Sequence, residues 1–192
     1  MFFLVGLGNP GQEYLSTRHN IGFEIIDSIS HCFNFPSFKE KFDGLITKKT
    51  LHNHEIFLFK PMKFMNLSGN PIRKAIDFYK INPKGKLIIF HDDLDMDFSK
   101  LRIKFSGGHG GHNGIKNIIQ HIGLDFVRIK IGIKSKYYTD KKVSADKFVL
   151  QKFNKEEILR IEKLQKEINS NLQFVYENNF PSFINNIKVG LL

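Results

Sequence analysis

Leu87-Ile88-Ile89-Phe90-His91-Asp92 is an apolar run that ends in two polar residues, and it predicts a short buried strand. A second apolar run, Phe2-Phe3-Leu4-Val5, lies near the start of the chain. Such runs are consistent with strands that are buried on both faces of a sheet. Amphipathic stretches separate them, so strands and helices are expected to alternate, with helices on both faces of one sheet.

The same alternation continues along the chain. Helices are predicted over 21–33, 68–79, 113–122 and 156–176, and strands over 2–7, 42–49, 55–60, 87–91, 101–105 and 126–133. We therefore expect one α/β domain over residues 1–192, with a twisted, mixed, mostly parallel sheet, helices on both faces and a helical C-terminus.

Composition restricts the class of protein. Hydrophobic residues make up 41% of the 192 residues, which is enough for a substantial core. Lys and Arg number 29 against 19 Asp and Glu, and a net charge of +10 favours polyanionic partners, although a Lys-rich solvated surface is the simpler alternative. The chain has a single Cys, and no basic region precedes its first apolar run. No apolar run approaches the roughly 20 residues that a membrane span needs. These features predict a cytoplasmic protein.

Two ionisable residues follow predicted strands and form the candidate catalytic pair. Asp92 ends the run quoted above, and His19 lies in Thr17-Arg18-His19-Asn20, after the polar loop that follows the first strand. A carboxylate that binds one imidazole nitrogen fixes the tautomer and makes the other nitrogen more basic, which allows it to deprotonate water. No Ser lies in a nucleophile-elbow motif, so the pair predicts a hydrolase that activates water without a covalent intermediate.

Asparagines in short motifs and a glycine-rich loop accompany this pair. Asn9, Asn66 and Asn113 each follow a turn-forming or apolar motif. The segment 107–114 contains five glycines and ends where a helix is predicted, so its N–H groups could receive an anion or an oxyanion. Alternatively, the loop only permits close packing, Asn113 is a helix cap, and Asn66 has a similar capping role.

Gly6-Leu7-Gly8-Asn9-Pro10-Gly11 fits the glycine pattern of dinucleotide-binding loops. That pattern requires a helix that starts at the loop and an acid about 20 residues later at the end of a second strand. Pro10 and the polar residues after it delay the helix, and Asp27 lies inside the predicted helix. A tight turn that presents Asn9 is therefore the preferred interpretation.

The acidic segment His91-Asp92-Asp93-Leu94-Asp95-Met96-Asp97 suggests a metal site. Read as a calcium loop that starts at Asp93, it has Phe98 in place of the glycine and Lys104 in place of the bidentate Glu. His109 and His112 lie beside glycines rather than at zinc-ligand spacing. A metal stays an open alternative, and Asp92 is the acid best placed to face a cleft.

Five motifs together resemble the bacterial-type peptidyl-tRNA hydrolase family over nearly the whole chain. They are Val5-Gly6-Leu7-Gly8-Asn9-Pro10-Gly11 with Tyr14, Thr17-Arg18-His19-Asn20-Ile21-Gly22, Phe64-Met65-Asn66-Leu67-Ser68-Gly69, His91-Asp92-Asp93-Leu94-Asp95, and Gly107-Gly108-His109-Gly110-Gly111-His112-Asn113-Gly114. The resemblance implies a monomeric enzyme that cleaves the ester of peptidyl-tRNA and releases the peptide and free tRNA, with no metal and no cofactor.

The same resemblance implies roles for individual residues. His19 is the general base, Asp92 orients it, and Asn9 discriminates blocked from free aminoacyl groups. Substrate-site residues are Tyr14, Phe64, Asn66 and Asn113, and the basic residues on the tRNA side are Lys104 and Lys130. Lys130 stands where the family usually has Arg, which keeps the charge but loses the bidentate fork toward phosphate.

Two other classes of protein stay open. A catalytically silent RNA-binding module would keep the fold and the charge, but the intact His19 and Asp92 pair argues against it. A nucleotide-dependent oxidoreductase would use the first glycine loop, but the sequence lacks the acid that should end its second strand.

Overall fold

A mixed sheet of seven strands organises the structure, which is a computed structural model that describes residues 1–135, 138 and 143–187. The strands are β1 (Phe2–Gly6), β2 (Lys39–Lys41), β3 (Gly44–Leu51), β4 (His54–Pro61), β5 (Leu87–Asp97), β6 (Leu101–Phe105) and β7 (Val127–Lys134). The helices are α1 (Ile21–Cys32), α2 (Gly69–Phe78), α3 (Asn113–Ile122), α4 (Ala145–Val149), α5 (Lys155–Tyr176) and α6 (Phe180–Asn186).

The sheet order β2-β3-β4-β1-β5-β7-β6 places the parallel strands at the centre. Strands β4, β1, β5 and β7 run parallel to one another, whereas β2, β3 and β6 form the antiparallel pairs at the two sides. From β1 the chain goes first to β4 on one side and later to β5 on the other. In open α/β sheets, ligands bind outside the carboxyl ends of the strands at such a reversal of order.

Helices cover both faces, as the sequence predicted. Helices α1, α5 and α6 enclose one core with Ile25, Ile29, Leu164 and Phe183. Helices α2 and α3 enclose the other with Ile72 and Ile118 among the buried residues. No helix in the described ranges is long and apolar enough to cross a membrane.

Two glycines bring α1 close to the ends of β1 and β5. A Cβ atom at Gly22 would collide with the backbone of Leu7 and Phe90, and one at Gly6 would collide with the backbone of Gly22. Only glycine allows this approach. The turn that precedes α1, which contains His19, is thereby held over the ends of the two strands.

Most predicted elements agree with the structure within a few residues, and 101–105 and 113–122 agree at both ends. Strand β5 is longer than predicted: it continues through the acidic residues to Asp97, which pairs with Lys134 of β7 after a register shift. Helix α2 begins one residue later than predicted, and Ser68 before it makes no capping bond, because its hydroxyl donates to the Met65 carbonyl at 2.8 Å.

Candidate active site

His19 and Asp92 meet at the carboxyl ends of the central strands. His19 lies in the 3-10 turn Arg18–Asn20 that leads into α1, and Asp92 is a buried residue of β5. The Nδ1 atom of His19 is 2.8 Å from Oδ1 and 2.9 Å from Oδ2 of Asp92. The expectation that their side chains meet is confirmed.

This contact determines which imidazole nitrogen of His19 can act as a base. An ionised carboxylate only accepts hydrogen bonds, so Nδ1 carries the proton and Nε2 keeps its lone pair. Nε2 has no hydrogen-bond partner among the described residues, and the side chain remains 12% exposed. The basic nitrogen of His19 is therefore free to bind a water molecule.

The local electrostatics support the same protonation pattern. Burial by itself lowers the pKa of His19, but the charge of Asp92 and its hydrogen bond outweigh burial and raise it above the ordinary value. Burial opposes ionisation of Asp92, yet the imidazoles of His19 and His112 hold its pKa well below the usual range. Asp92 is thus a carboxylate throughout the neutral pH range.

His112 is the second imidazole on Asp92, and its tautomer follows from its contacts. Its Nδ1 accepts hydrogen bonds from the backbone N–H of Gly114 at 3.1 Å and of Ile115 at 3.3 Å. Nδ1 is therefore unprotonated, and the proton lies on Nε2, which donates to Oδ1 of Asp92 at 3.0 Å. His112 is also the N-cap of α3, whereas Asn113, for which a capping role was the alternative, is the first residue of the helix.

A metal would have to compete with this hydrogen-bond network. One ligand atom from each of His19, Asp92 and His112 lies within 4.8 Å of the others. To coordinate through Nε2, however, His112 would have to move its proton to Nδ1, which faces two backbone N–H donors. The donor set therefore suits a hydrogen-bonded triad better than a cation.

Asn9 is buried, and its amide orientation is fixed by its contacts. The Met65 N–H donates to Oδ1 of Asn9 at 2.8 Å. The Asn20 side chain holds the backbone of Asn9: it accepts from the Asn9 N–H at 2.8 Å and donates to the Asn9 carbonyl at 2.9 Å. The NH₂ group of Asn9 has no partner among the described residues and is available as a donor. The positioning role of Asn20 was not predicted, although it directly follows His19.

The remaining predicted substrate residues lie in exposed or partly exposed turns. Tyr14 and Phe64 contact each other edge to face, with ring centroids 6.3 Å apart, and Phe64 is 53% exposed. Asn66 is exposed in the 3-10 turn Met65–Leu67, and Asn113 is exposed at the start of α3.

A cavity of about 530 Å³ contains the triad and part of this set. Its lining includes Asn113 and Lys130. Lys130 forms an ion pair with Asp93 and is only 17% exposed, and the sequence alone did not predict this environment. Lys104, in contrast, is exposed on β6, opposite Arg128 in the neighbouring strand. The two predicted tRNA-side lysines therefore differ in environment.

Comparison with known proteins agrees with this geometry. The family model described as peptidyl-tRNA hydrolase matches residues 3–190. The peptidyl-tRNA hydrolase of Fusobacterium nucleatum is 44% identical over 170 residues, which cover 88% of this chain and 86% of that protein. The peptidyl-tRNA hydrolase of Ehrlichia ruminantium (strain Welgevonden) is 42% identical over 188 residues, with 98% and 94% covered.

A solved structure is similar over the same range. The crystal structure of peptidyl-tRNA hydrolase from Acinetobacter baumannii superposes with a TM-score of 0.87 at 34% identity, and the match covers 97% of this chain and 94% of that one. The similarity thus includes the sheet, the helices on both faces and the helical C-terminus.

Proposed function

Because this chain belongs to the peptidyl-tRNA hydrolase family, we propose that it hydrolyses the ester of peptidyl-tRNA with a water molecule activated by His19 and Asp92. The chain is an enzyme of translation, a carboxylic ester hydrolase. The observation that carries the mechanism is the 2.8 Å contact between Nδ1 of His19 and Asp92. It leaves the basic Nε2 in a cavity that is open to substrate.

The reaction follows from this protonation state. Nε2 of His19 takes a proton from water as the water oxygen attacks the ester carbonyl carbon. The tetrahedral intermediate then collapses, the bond to the ribose oxygen breaks, and the leaving oxygen receives the proton from Nε2. Asp92 stabilises the transient imidazolium, and a base so positioned contributes about 10²–10⁴-fold to the rate. An aminoacyl ester is already activated, so the step needs neither a metal nor a covalent nucleophile.

Three asparagine side chains would bind the peptide and the developing oxyanion. The free NH₂ group of Asn9 would donate to the carbonyl oxygen of a blocked aminoacyl group, and the side-chain amides of Asn66 and Asn113 are further donors. Tyr14 and Phe64 provide an aromatic contact for the peptide or its side chains.

Basic residues on the β6 and β7 side would bind the tRNA. Lys104 is exposed there, its neighbour Arg102 lies opposite Lys130 in the strand register, and the whole chain has a net charge of +10. Contacts of this kind bind phosphates without reading sequence. We further propose that the enzyme works in the cytoplasm as a monomer, a single domain over residues 1–192.

The proposal is tested by following deacylation of N-blocked aminoacyl-tRNA by the purified protein in EDTA. We expect full turnover with the chelator present. Absence of turnover under every condition would refute the ester-hydrolase function. Activity that stops in EDTA and returns with added metal would instead refute the metal-free mechanism, and non-enzymatic deacylation in the same buffer gives the baseline.

A further inference from the structure

Arg128 is a buried cation whose contacts lie in the glycine-rich loop rather than with an acid. It is 2% exposed on β7, and no carboxylate of the described residues forms a salt bridge with it. Its guanidinium donates instead to three successive carbonyls: Gly108 at 2.9 Å, Gly107 at 2.7 Å, and Ser106.

We propose that Arg128 is a positioning residue for hydrolysis, because its guanidinium fixes the loop that delivers His112 to Asp92. This inference rests on the proposed function, since it assigns Arg128 a task in the same reaction. In sequence, Arg128 is only one of three basic residues in β7.

The loop requires an external anchor to keep one conformation. The segment 107–114 contains five glycines, which carry little conformational preference. Ser106 and Gly107 both have positive φ, at 57° and 89°, and this region is unfavourable for serine. A planar guanidinium can bind several carbonyls at once in a fixed geometry, and the carbonyl dipoles compensate its buried charge.

A short chain of contacts connects the anchored carbonyls to the catalytic pair. His109 follows the anchored segment, and its carbonyl accepts from the His112 N–H at 3.1 Å. The His112 ring then donates to Asp92, and Asp92 holds His19. If the carbonyls at 106–108 were released, the His112 ring would lose its fixed position first, and the orientation of Asp92 would change with it.

The anchor also orients the amide groups on the other side of the same peptide units. A trans peptide directs its C=O and N–H in opposite directions. With three carbonyls directed toward Arg128, the N–H groups of Gly107, Gly108 and His109 are directed away from it. None of these N–H groups has a partner among the described residues, so the anchor leaves them free to donate to substrate.

The test compares Arg128→Met and Arg128→Lys with a matched control, Arg160→Met. Arg160 is an arginine that also donates to a loop carbonyl, that of Phe98 at 3.3 Å, but it anchors the turn after β5. We expect Arg128→Met to lower kcat about 10²-fold, because small displacements of catalytic groups have effects of this size. Lys retains the positive charge but lacks the planar guanidinium that binds several carbonyls at once, so we expect Arg128→Lys to lower kcat about tenfold. KM should change less than about threefold in both variants, since substrate binding is shared among many contacts.

A spectroscopic measurement makes the test independent of turnover. In the wild type, long-range ¹H–¹⁵N spectra should show His112 with a protonated Nε2 and an unprotonated Nδ1. In Arg128→Met these resonances should move toward the averaged values of a free histidine, whereas in Arg160→Met they should not. If the wild type had no hydrolase activity, the proposed function would fail, but these spectra would still decide whether Arg128 holds His112.

Any of three results would overturn the inference. One is a kcat for both Arg128 variants equal to that of Arg160→Met after correction for the folded fraction. Another is an unchanged His112 spectrum in Arg128→Met. A loss confined to KM would assign Arg128 to tRNA binding and would also contradict a positioning role.

Discussion

Asp92 accepts hydrogen bonds from two imidazoles whose protonation is set in different ways. The proton on Nε2 of His112 is imposed by backbone donors on its other nitrogen, whereas the proton on Nδ1 of His19 is held by Asp92 itself. Only His19 therefore has a free basic nitrogen. Two histidines that look alike in the sequence have different roles because the backbone fixes one of them.

The substitution Asp92→Asn tests the orienting role. Asn presents an NH₂ group that can donate to Nδ1 of His19, which moves the imidazole proton to Nε2 and removes the base. We expect kcat to fall on the order of 10³–10⁴-fold, as when a His-orienting carboxylate becomes an amide. Steady-state kinetics measure this, with Asp97→Asn at the exposed end of β5 as a control that should retain wild-type kcat. A loss below tenfold in Asp92→Asn would contradict the role.

The pH dependence of the reaction follows from the raised pKa of His19. Only the unprotonated imidazole can take a proton from water, so kcat/KM should increase with pH and level off above the pKa of His19. That midpoint should lie above the ordinary value near 6.5, because Asp92 stabilises the imidazolium. A profile of kcat/KM from pH 5 to 9 measures it, and a midpoint below 6 would show that the carboxylate does not act on His19.

Sequence reasoning predicted the His19 and Asp92 pair but not the residues that support it. Strand ends are visible as the ends of apolar runs, so two polar residues at such ends could be expected to meet. His112 and Asn113 are both capable of capping a helix, and only the loop geometry selects His112. Arg128 alternates with apolar residues, a pattern typical of an exposed strand face, and only the tertiary fold shows that the glycine-rich loop covers this face.

At the level of elements, α5 and the segment before it hold the turn that contains His19. Arg18 forms a two-pronged ion pair with Glu157 at 2.8 Å, and it donates to the Lys152 carbonyl at 2.6 Å. Glu157 also completes the capping box of α5 with Asn154. Helix α5 thus stabilises the turn that contains His19, a link between distant segments that local patterns in the sequence do not reveal.

Glu157→Gln separates the ion pair from the helix cap. Gln can retain the capping box, so the substitution mainly removes the charge of Glu157 from its ion pair with the buried Arg18. We expect the free energy of unfolding to fall by about 3 kcal/mol, the range found when one member of a buried pair is removed. Urea denaturation measures it, with Glu156→Gln in the exposed first turn as the control. Surface substitutions usually change the free energy of unfolding by no more than about 0.5 kcal/mol. If Glu157→Gln differed from Glu156→Gln by no more than this, the ion pair would not stabilise the fold.

Strands β6 and β7 should differ in what their lysines contribute to tRNA binding. Lys104 is exposed and has no ion-pair partner among the described residues, so Lys104→Ala should weaken tRNA binding and reduce the salt slope of log K by about one. Lys130→Ala should also weaken binding and reduce the slope, but by less, because Asp93 already balances its charge. Binding of deacylated tRNA at several salt concentrations measures both slopes. Unchanged slopes in both variants would show that neither lysine contacts phosphate.

For the whole molecule, the order of strands explains why His19, Asp92 and His112 lie together in one small region. The order reverses at β1, so the loops after β1 and β5 diverge over adjacent strand ends and leave room for a substrate. The layer arrangement was predictable because alternating buried strands and amphipathic helices have few ways to pack. The side strand β2 and the extension of β5 were not, since their charged residues resemble turns. Strand β2 pairs with β3 across a tight turn, and the end of β5 pairs with the distant strand β7.

We propose that the fold separates tRNA binding from ester cleavage and that His19 acts only in ester cleavage. The most direct measurement is kcat of His19→Ala with N-blocked aminoacyl-tRNA, together with its Kd for deacylated tRNA. We predict that kcat falls by about 10²–10⁴-fold, the usual contribution of a general base, while Kd stays within about twofold because phosphate contacts are made elsewhere. A variant that retains the kcat of the wild type would contradict the assignment of His19 as the base.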